Sequence, residues 1–145
     1  MSIKLKNFIF CWLPLILYCL FVYIQSDYPS PESLPSFELS DKLYHLAGYA
    51  VMGVLFYRAY QTLPFKDNIH LLVLFSIIST SLYGMSDEIH QSFVPYRDGS
   101  LLDAIADIFG AVCGVYFIHL WTTARKVRRQ RHGKTEIGMR KSENK

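Results

Sequence analysis

The chain has 145 residues, of which 51% are hydrophobic and 15% aromatic, and its formal net charge is +3. The charge is unevenly distributed, because the segment from Arg125 onward carries a net +7 and the rest of the chain carries −4. A basic segment directly after an apolar run is typical of a topological anchor that also attracts anionic lipid head groups. We therefore expect no nucleic-acid partner.

The first predicted element is an apolar helix near the N-terminus. No charged residue occurs from Asn7 to Ser26, and at about 1.5 Å per residue this run nearly spans a bilayer core of roughly 30 Å. Lys4 and Lys6 precede it as in a secretory signal. However, no small-x-small cleavage site follows, so we predict an uncleaved helix over about 8–25. A proline-containing outer loop then leads to the second helix.

Three further apolar runs predict helices over about 42–60, 69–92 and 101–123. The third helix contains LLVLFSIISTSLYGM, which has no charged face, whereas helices of soluble bundles have polar faces at a 3.6-residue period. We therefore predict an all-α integral membrane protein, with a bundle of four transmembrane helices in residues 1–124. Residues 125–145 are expected to form a basic, disordered cytoplasmic tail.

The distribution of charge predicts the orientation of this bundle. If the N-terminus is cytoplasmic, the inner segments hold 13 Lys and Arg against three acidic residues, and the outer segments hold two against nine. The positive-inside rule predicts an N-in/C-in topology from such an asymmetry. We expect a multi-pass protein of the cell membrane that contacts membrane lipids.

Polar residues concentrate at the outer ends of three predicted helices. The start of helix two, the end of helix three and the start of helix four share one side of the membrane, because consecutive helices are antiparallel. The residues in question are Lys42, His45, Glu88, Gln91, Arg97 in the turn, Asp103 and Asp107. A carboxylate in the hydrocarbon region costs several kcal/mol. Asp107, one turn deeper than Asp103, therefore needs a partner, a proton or water.

Helix four continues from these acids into Gly110 and Gly114. This small-xxx-small pattern lets helices approach closely, so we expect the acids to face the interior of the bundle. The same pattern can pair two protomers as readily as two helices of one chain. A homo-oligomer through these glycines is therefore an alternative.

No metal-binding spacing is present along the sequence. Cys11, Cys19 and Cys113 are odd in number and all fall within predicted helices. Glu88 and His90 are two positions apart and project to different helix faces, and there is no H-E-x-x-H motif. We expect neither a metal nor another cofactor.

Two segments resemble the VanZ-like membrane family, named for a teicoplanin-resistance protein: DKLYHLAGYAVMGVLFYRA and SLYGMSDEIHQSFVPYRDGSLLDAIADIFGAVCG. The shared pattern is a Lys and a His three apart, then Glu-x-x-Gln, an Arg, an Asp and a Gly-rich helix end. Asp107 departs from it, because the family pattern usually has Asn there. The resemblance implies an integral membrane protein connected with envelope properties or glycopeptide tolerance.

Several functions are compatible with these polar residues. In an enzyme acting on an envelope lipid or glycan precursor at the outer leaflet, His45 or Glu88 is the acid/base. Lys42 and Arg97 then bind a phosphate or carboxylate. The other groups orient the substrate: Gln91, Asp103 and Asp107. Alternatively, the site binds a precursor, an antibiotic or a partner without catalysis, the charges only lock the helices together, or the protein is a small transporter. The apolar inner halves of the helices disfavour transport.

Overall fold

The structure, a computed structural model, is all-helical over the residues it describes. It describes the backbone of residues 3–28, 38–95, 97 and 99–143, with the side chains of 5–28, 41–95, 97 and 99–132. The four helices are α1 (Ile3–Ser26), α2 (Glu38–Tyr60), α3 (Ile69–Gln91) and α4 (Leu101–Glu143). The prediction of four helices is confirmed. The proline-containing loop falls at residues 29–37, outside the described part.

The largest difference from the predicted helix boundaries is at the end of α4. This helix has 43 residues and continues to Glu143, whereas the sequence predicts an end near residue 123 and a disordered tail beyond it. The apolar pattern stops near residue 123, but Arg, Lys and Gln favour helix almost as strongly as Leu does, and no proline follows. The loss of apolar residues therefore marks a change of environment without ending the helix.

α2 occupies the centre of the bundle, because it packs closely against α4 and α3 and is the main contact of α1, which touches α3 only slightly. Its closest neighbour is α4, and glycines make this approach possible. A methyl group at Gly110 would overlap the backbone carbonyl of Leu46, and one at Gly114 would overlap that of Ala50. The small-xxx-small pattern thus joins two helices of the same chain. Its use between protomers stays a prediction.

Three of the helices are long and apolar enough to cross a membrane. The qualifying segments are Leu5–Ser26, Ile69–Gln91 and Leu101–His132. Large apolar side chains on these segments are exposed, such as Phe10, Leu82 and Phe117, as a surface in contact with lipid requires. α2 is not among the three, since it is less apolar and carries Asp41, Lys42 and Arg58.

The end of the bundle opposite to the predicted polar residues is packed with apolar and aromatic side chains. Tyr57, Leu72 and Val115 are buried together there, one from each of α2, α3 and α4. The hydroxyl of Tyr57 lies 3.1 Å from Nδ1 of His119. This region fixes the three helices relative to one another, so that their other ends meet in a defined arrangement.

Candidate functional site

The predicted polar residues of α2, α3 and α4 meet at one end of the bundle. His45 is central, because its Nδ1 lies 3.0 Å from Oδ1 of Asp107 and 3.6 Å from Oε1 of Glu88. Nζ of Lys42 lies 3.8 Å from Oδ1 of Asp103 at the more exposed edge. We call these five residues the polar cluster. The order of the helices along the chain was sufficient to place them together.

The carboxyl groups of the polar cluster are withdrawn from solvent. Asp107 is completely buried, and Glu88 and Asp103 are each 7% exposed. Three of their oxygens, Oε1 of Glu88, Oδ1 of Asp103 and Oδ2 of Asp107, are buried without a hydrogen-bond partner in the described part of the chain. Buried polar atoms are nearly always paired, because desolvation without a hydrogen bond costs free energy. The cluster therefore has unused capacity to bind a cation or a hydrogen-bond donor.

Two glycines and a backbone amide hold the carboxyl groups in place. The backbone N–H of Ser100, just before α4, donates to Oε2 of Glu88 at 2.8 Å. Gly99 passes so close to the backbone carbonyl of Glu88 that a Cβ atom there would clash with it. A Cβ atom at Gly84 would lie only 2.9 Å from Oδ2 of Asp107. Because Gly84 has no side chain, α3 leaves room for the Asp107 carboxyl group.

Asp87 forms a second buried network beside the polar cluster. It accepts hydrogen bonds from the hydroxyl of Ser26 at 2.5 Å, the hydroxyl of Tyr49 at 3.1 Å and Nε2 of Gln91 at 3.0 Å. We call these four residues the Asp87 network. Gln91, predicted as part of the site, is thus engaged by Asp87.

The sequence contained only part of the signal for this network. Asp87 and Gln91 are four apart and share a helix face, which suggests their contact. The contribution of Ser26 depends on how α1 packs against α3, and the order of the helices does not determine this.

Arg97 lies in the connection between α3 and α4 and is half-buried. Its Nε is buried and has no hydrogen-bond partner in the described part of the chain. Over the same residues, no ion pair joins its guanidinium to Glu88, Asp103 or Asp107. The neighbouring Asp98 lies outside the described residues. Arg97 is therefore near the cluster in sequence but is not bonded to it.

His90 faces away from the polar cluster towards α1. Its Nε2 lies 2.8 Å from Oδ1 of Asp27, and its ring stacks on Tyr23 with centroids 4.9 Å apart. This exposed pair belongs to the same end of the bundle but uses another face of α3 than Glu88 does.

The described residues form four helices, three of which are apolar and long enough to span a membrane, and they enclose a buried charged cluster. These features are those of a helical membrane protein. A family model described as VanZ/LLP1 matches residues 8–122, which include the polar cluster and the Asp87 network. The chain belongs to this family, and the resemblance noted in its sequence is confirmed. Searches of the curated proteins and of the solved structures gave no significant match.

Proposed function

We propose that this protein crosses the bacterial plasma membrane four times and uses its polar cluster to bind or transform a cell-envelope lipid or glycan precursor at the outer leaflet. The observation that carries the proposal is the meeting of charged side chains from three helices at one buried position, with carboxylate oxygens that accept no hydrogen bond from the described residues. Charged groups within membrane helices are costly, and they mark functional sites by default.

The cationic side chains suit an anionic group of a ligand that enters from the membrane surface, and the carboxylates suit its hydroxyl groups. The side chain of Lys42 is 34% exposed at the edge of the cluster, and Arg97 is half-buried in the connection between α3 and α4. Such cations bind phosphate or carboxylate groups of envelope precursors. Deeper in, His45 exchanges a proton with the ligand while Asp107 holds its ring in position, and Glu88 is the alternative acid/base. Asp103 and Gln91 orient the ligand.

Family membership supports a role in the envelope. An effect on envelope properties or glycopeptide tolerance would follow if the bound precursor is one that glycopeptides recognise or that controls their access. We treat this as part of the proposal. A binding protein without catalysis uses the same contacts, with His45 and Glu88 as hydrogen-bonding groups only.

The main alternative is a network that only locks the helices together. The Asp87 network has this character, because the Asp87 carboxyl group receives hydrogen bonds from three side chains on α1, α2 and α3. The polar cluster differs from it in having buried carboxylate oxygens that accept no hydrogen bond from the described residues. A transporter is less well supported, since the buried side chains at the opposite end of the bundle are mainly apolar.

The test is to express His45→Ala, Glu88→Gln and Arg97→Ala in cells that lack the natural protein. We expect normal amounts in the membrane but loss of any envelope phenotype, measured as glycopeptide tolerance. His90→Ala is the matched control, because His90 lies on α3 beside the cluster but contacts Asp27 instead. Retention of the phenotype by all three variants would refute the proposal. Their disappearance from the membrane would favour the locking network.

The composition of the envelope distinguishes an enzyme from a protein that only binds a precursor. Mass spectrometry of envelope lipids and glycans is compared between cells with the wild-type protein and cells with the His45→Ala variant. An enzyme produces a species that the variant lacks. Identical lipid and glycan profiles combined with a lost phenotype would leave binding as the function.

A further inference from the structure

Three potential metal ligands from three different helices converge within the polar cluster. One ligand atom each from His45, Glu88 and Asp107 lies within 4.8 Å of the other two. We propose that these residues bind a divalent transition-metal ion such as Zn²⁺ or Mn²⁺. The sequence predicts no metal, because no local motif exists. Ligands contributed by α2, α3 and α4 leave no such motif and become visible only when the helices are packed.

The distances between the ligand atoms suit a shared ion. Metal–ligand bonds of about 2.0–2.1 Å in tetrahedral geometry place neighbouring ligand atoms roughly 3.3 Å apart. Nδ1 of His45 is 3.0 Å from Oδ1 of Asp107 and 3.6 Å from Oε1 of Glu88, which are values on either side of that spacing. The third separation, between the ligand oxygens of Glu88 and Asp107, is at most 4.8 Å.

The unpartnered oxygens are an independent indication of a bound cation. Oε1 of Glu88 and Oδ2 of Asp107 belong to side chains that are more than nine-tenths buried, and neither accepts a hydrogen bond from the described residues. Oε1 of Glu88 faces the imidazole of His45 at 3.6 Å. A metal ion would coordinate an oxygen of each carboxylate and offset the repulsion between the two groups.

The surroundings of the three ligands are those of an organised metal site. The Ser100 amide binds Oε2 of Glu88, which leaves Oε1 free to point at the ion. The ring of His45 lies parallel to that of Tyr49, with an interplanar angle of 6°. A hydrogen bond to a ligating carboxylate, such as the one from Ser100 to Glu88, orients the ligand and raises metal affinity.

The donor set selects the class of metal. One imidazole nitrogen and two carboxylates suit Zn²⁺, Mn²⁺, Fe²⁺, Co²⁺ or Ni²⁺, whereas Mg²⁺ and Ca²⁺ prefer oxygen ligands throughout. Metal binding at Nδ1 of His45 replaces its contact with Asp107 and requires a neutral ring that carries its proton on Nε2. Three protein ligands leave at least one coordination position open for water or for an oxygen of a ligand.

The test measures metal retention by the full-length chain. The protein is purified in detergent with an affinity tag that contains no histidine, stripped with a chelator, and re-equilibrated with Zn²⁺ or Mn²⁺ before gel filtration. Mass spectrometry of the elements is expected to find one ion per chain in the wild type. Asp107→Asn and Glu88→Gln are expected to reduce this to the background level. His90→Ala, which removes a histidine paired with an exposed carboxylate at the same end, should retain the ion.

A second measurement uses only the wild type, so that it does not depend on the folding of variants. Co²⁺ added to the stripped protein is expected to give visible absorption bands of a low-coordinate nitrogen and oxygen site, and Zn²⁺ should abolish them. Retention of none of the transition metals, or equal retention by the two variants, would overturn the proposal. The assay does not involve an envelope phenotype, so a negative result does not contradict the proposed precursor-binding function. Likewise, a negative phenotype test does not contradict the proposed metal site.

Discussion

Asp87 and Asp107 are two buried carboxyl groups, one on α3 and one on α4, with different surroundings. Asp87 accepts hydrogen bonds from Ser26, Tyr49 and Gln91. Among the described residues, Asp107 has one hydrogen-bond partner, His45, and its Oδ2 has none. A saturated carboxyl group stabilises the fold, whereas one with spare lone pairs can bind something further. The surroundings of Asp87 therefore fit a structural role, and those of Asp107 fit the proposed binding site.

Asp87→Ala is expected to destabilise the protein. The change removes the acceptor of Tyr49 and the nearer acceptor of Gln91, whereas the hydroxyl of Ser26 can still donate to the carbonyl of Val22. We therefore expect the free energy of unfolding to fall by about 2 kcal/mol. Denaturation in detergent micelles measures this. Ser86→Ala is the control: Ser86 is the exposed neighbour of Asp87, and its hydroxyl bonds only the carbonyl of Tyr83 on its own helix. An Asp87→Ala variant as stable as Ser86→Ala would contradict the assignment.

The part of the site that the sequence could predict is the part that depends on helix order. Lys42, His45 and Glu88 lie at helix ends that antiparallel order brings together, and spacing places them on inward stripes. Arg97 is not bonded to the cluster among the described residues. The sequence could not predict this, because Arg97 lies in a connection that has no periodic pattern. The sequence could not predict the proposed metal site either, since the site depends on side-chain distances between helices.

At the scale of elements, the contact between α2 and α4 determines the geometry of the site. His45 is one residue before Leu46, and Asp107 precedes Gly110 by three, so each ligand lies within one turn of the glycine contact. An increase in the separation of these helices would move the His45 imidazole away from the Asp107 carboxyl group. Close glycine packing is thus a condition for the 3.0 Å distance between them.

Gly114→Ala is expected to disturb this contact. Its methyl group would overlap the carbonyl of Ala50, and such overpacking costs about 1–3 kcal/mol. Gly48→Ala is the control, because a Cβ atom at Gly48 would only reach the hydroxyl of Tyr18 at an ordinary 3.6 Å. It should be neutral or slightly stabilising, since alanine is favoured over glycine in helices. Thermal unfolding in detergent compares the two, and equal melting temperatures would show that the glycine contact is not limiting.

The existence of the four helices could be predicted from apolar runs interrupted by charged or proline-containing segments. The end of α4 could not, because hydropathy reports the environment of a segment and not its backbone conformation. The role of α2 shows the same distinction. Among the three helices that form the site, it is the one without an apolar segment of membrane-spanning length. It packs against α4 and also against α1 and α3, so much of its surface faces protein.

At the scale of the whole molecule, the number of membrane crossings determines where the termini lie. Four crossings place both termini on one side, whereas three crossings by α1, α3 and α4 alone place them on opposite sides. With a cytoplasmic N-terminus, three crossings would expose the segment from Arg125 onward, which carries a net +7, on the outer side. The positive-inside rule opposes that arrangement. The charge therefore favours a membrane-spanning α2.

Paired reporters can test this topology. Fusions of alkaline phosphatase, active only outside, and of green fluorescent protein, folded only inside, are made after Asp67, after Gly99 and at the C-terminus. We expect fluorescence after Asp67 and at the C-terminus, and phosphatase activity after Gly99, because Gly99 packs against Glu88 of the polar cluster. Each position carries both reporters in separate fusions as its own control. Phosphatase activity after Asp67 and at the C-terminus would mean that α2 does not cross, and the polar cluster would then lie on the cytoplasmic side, away from any outer-leaflet precursor.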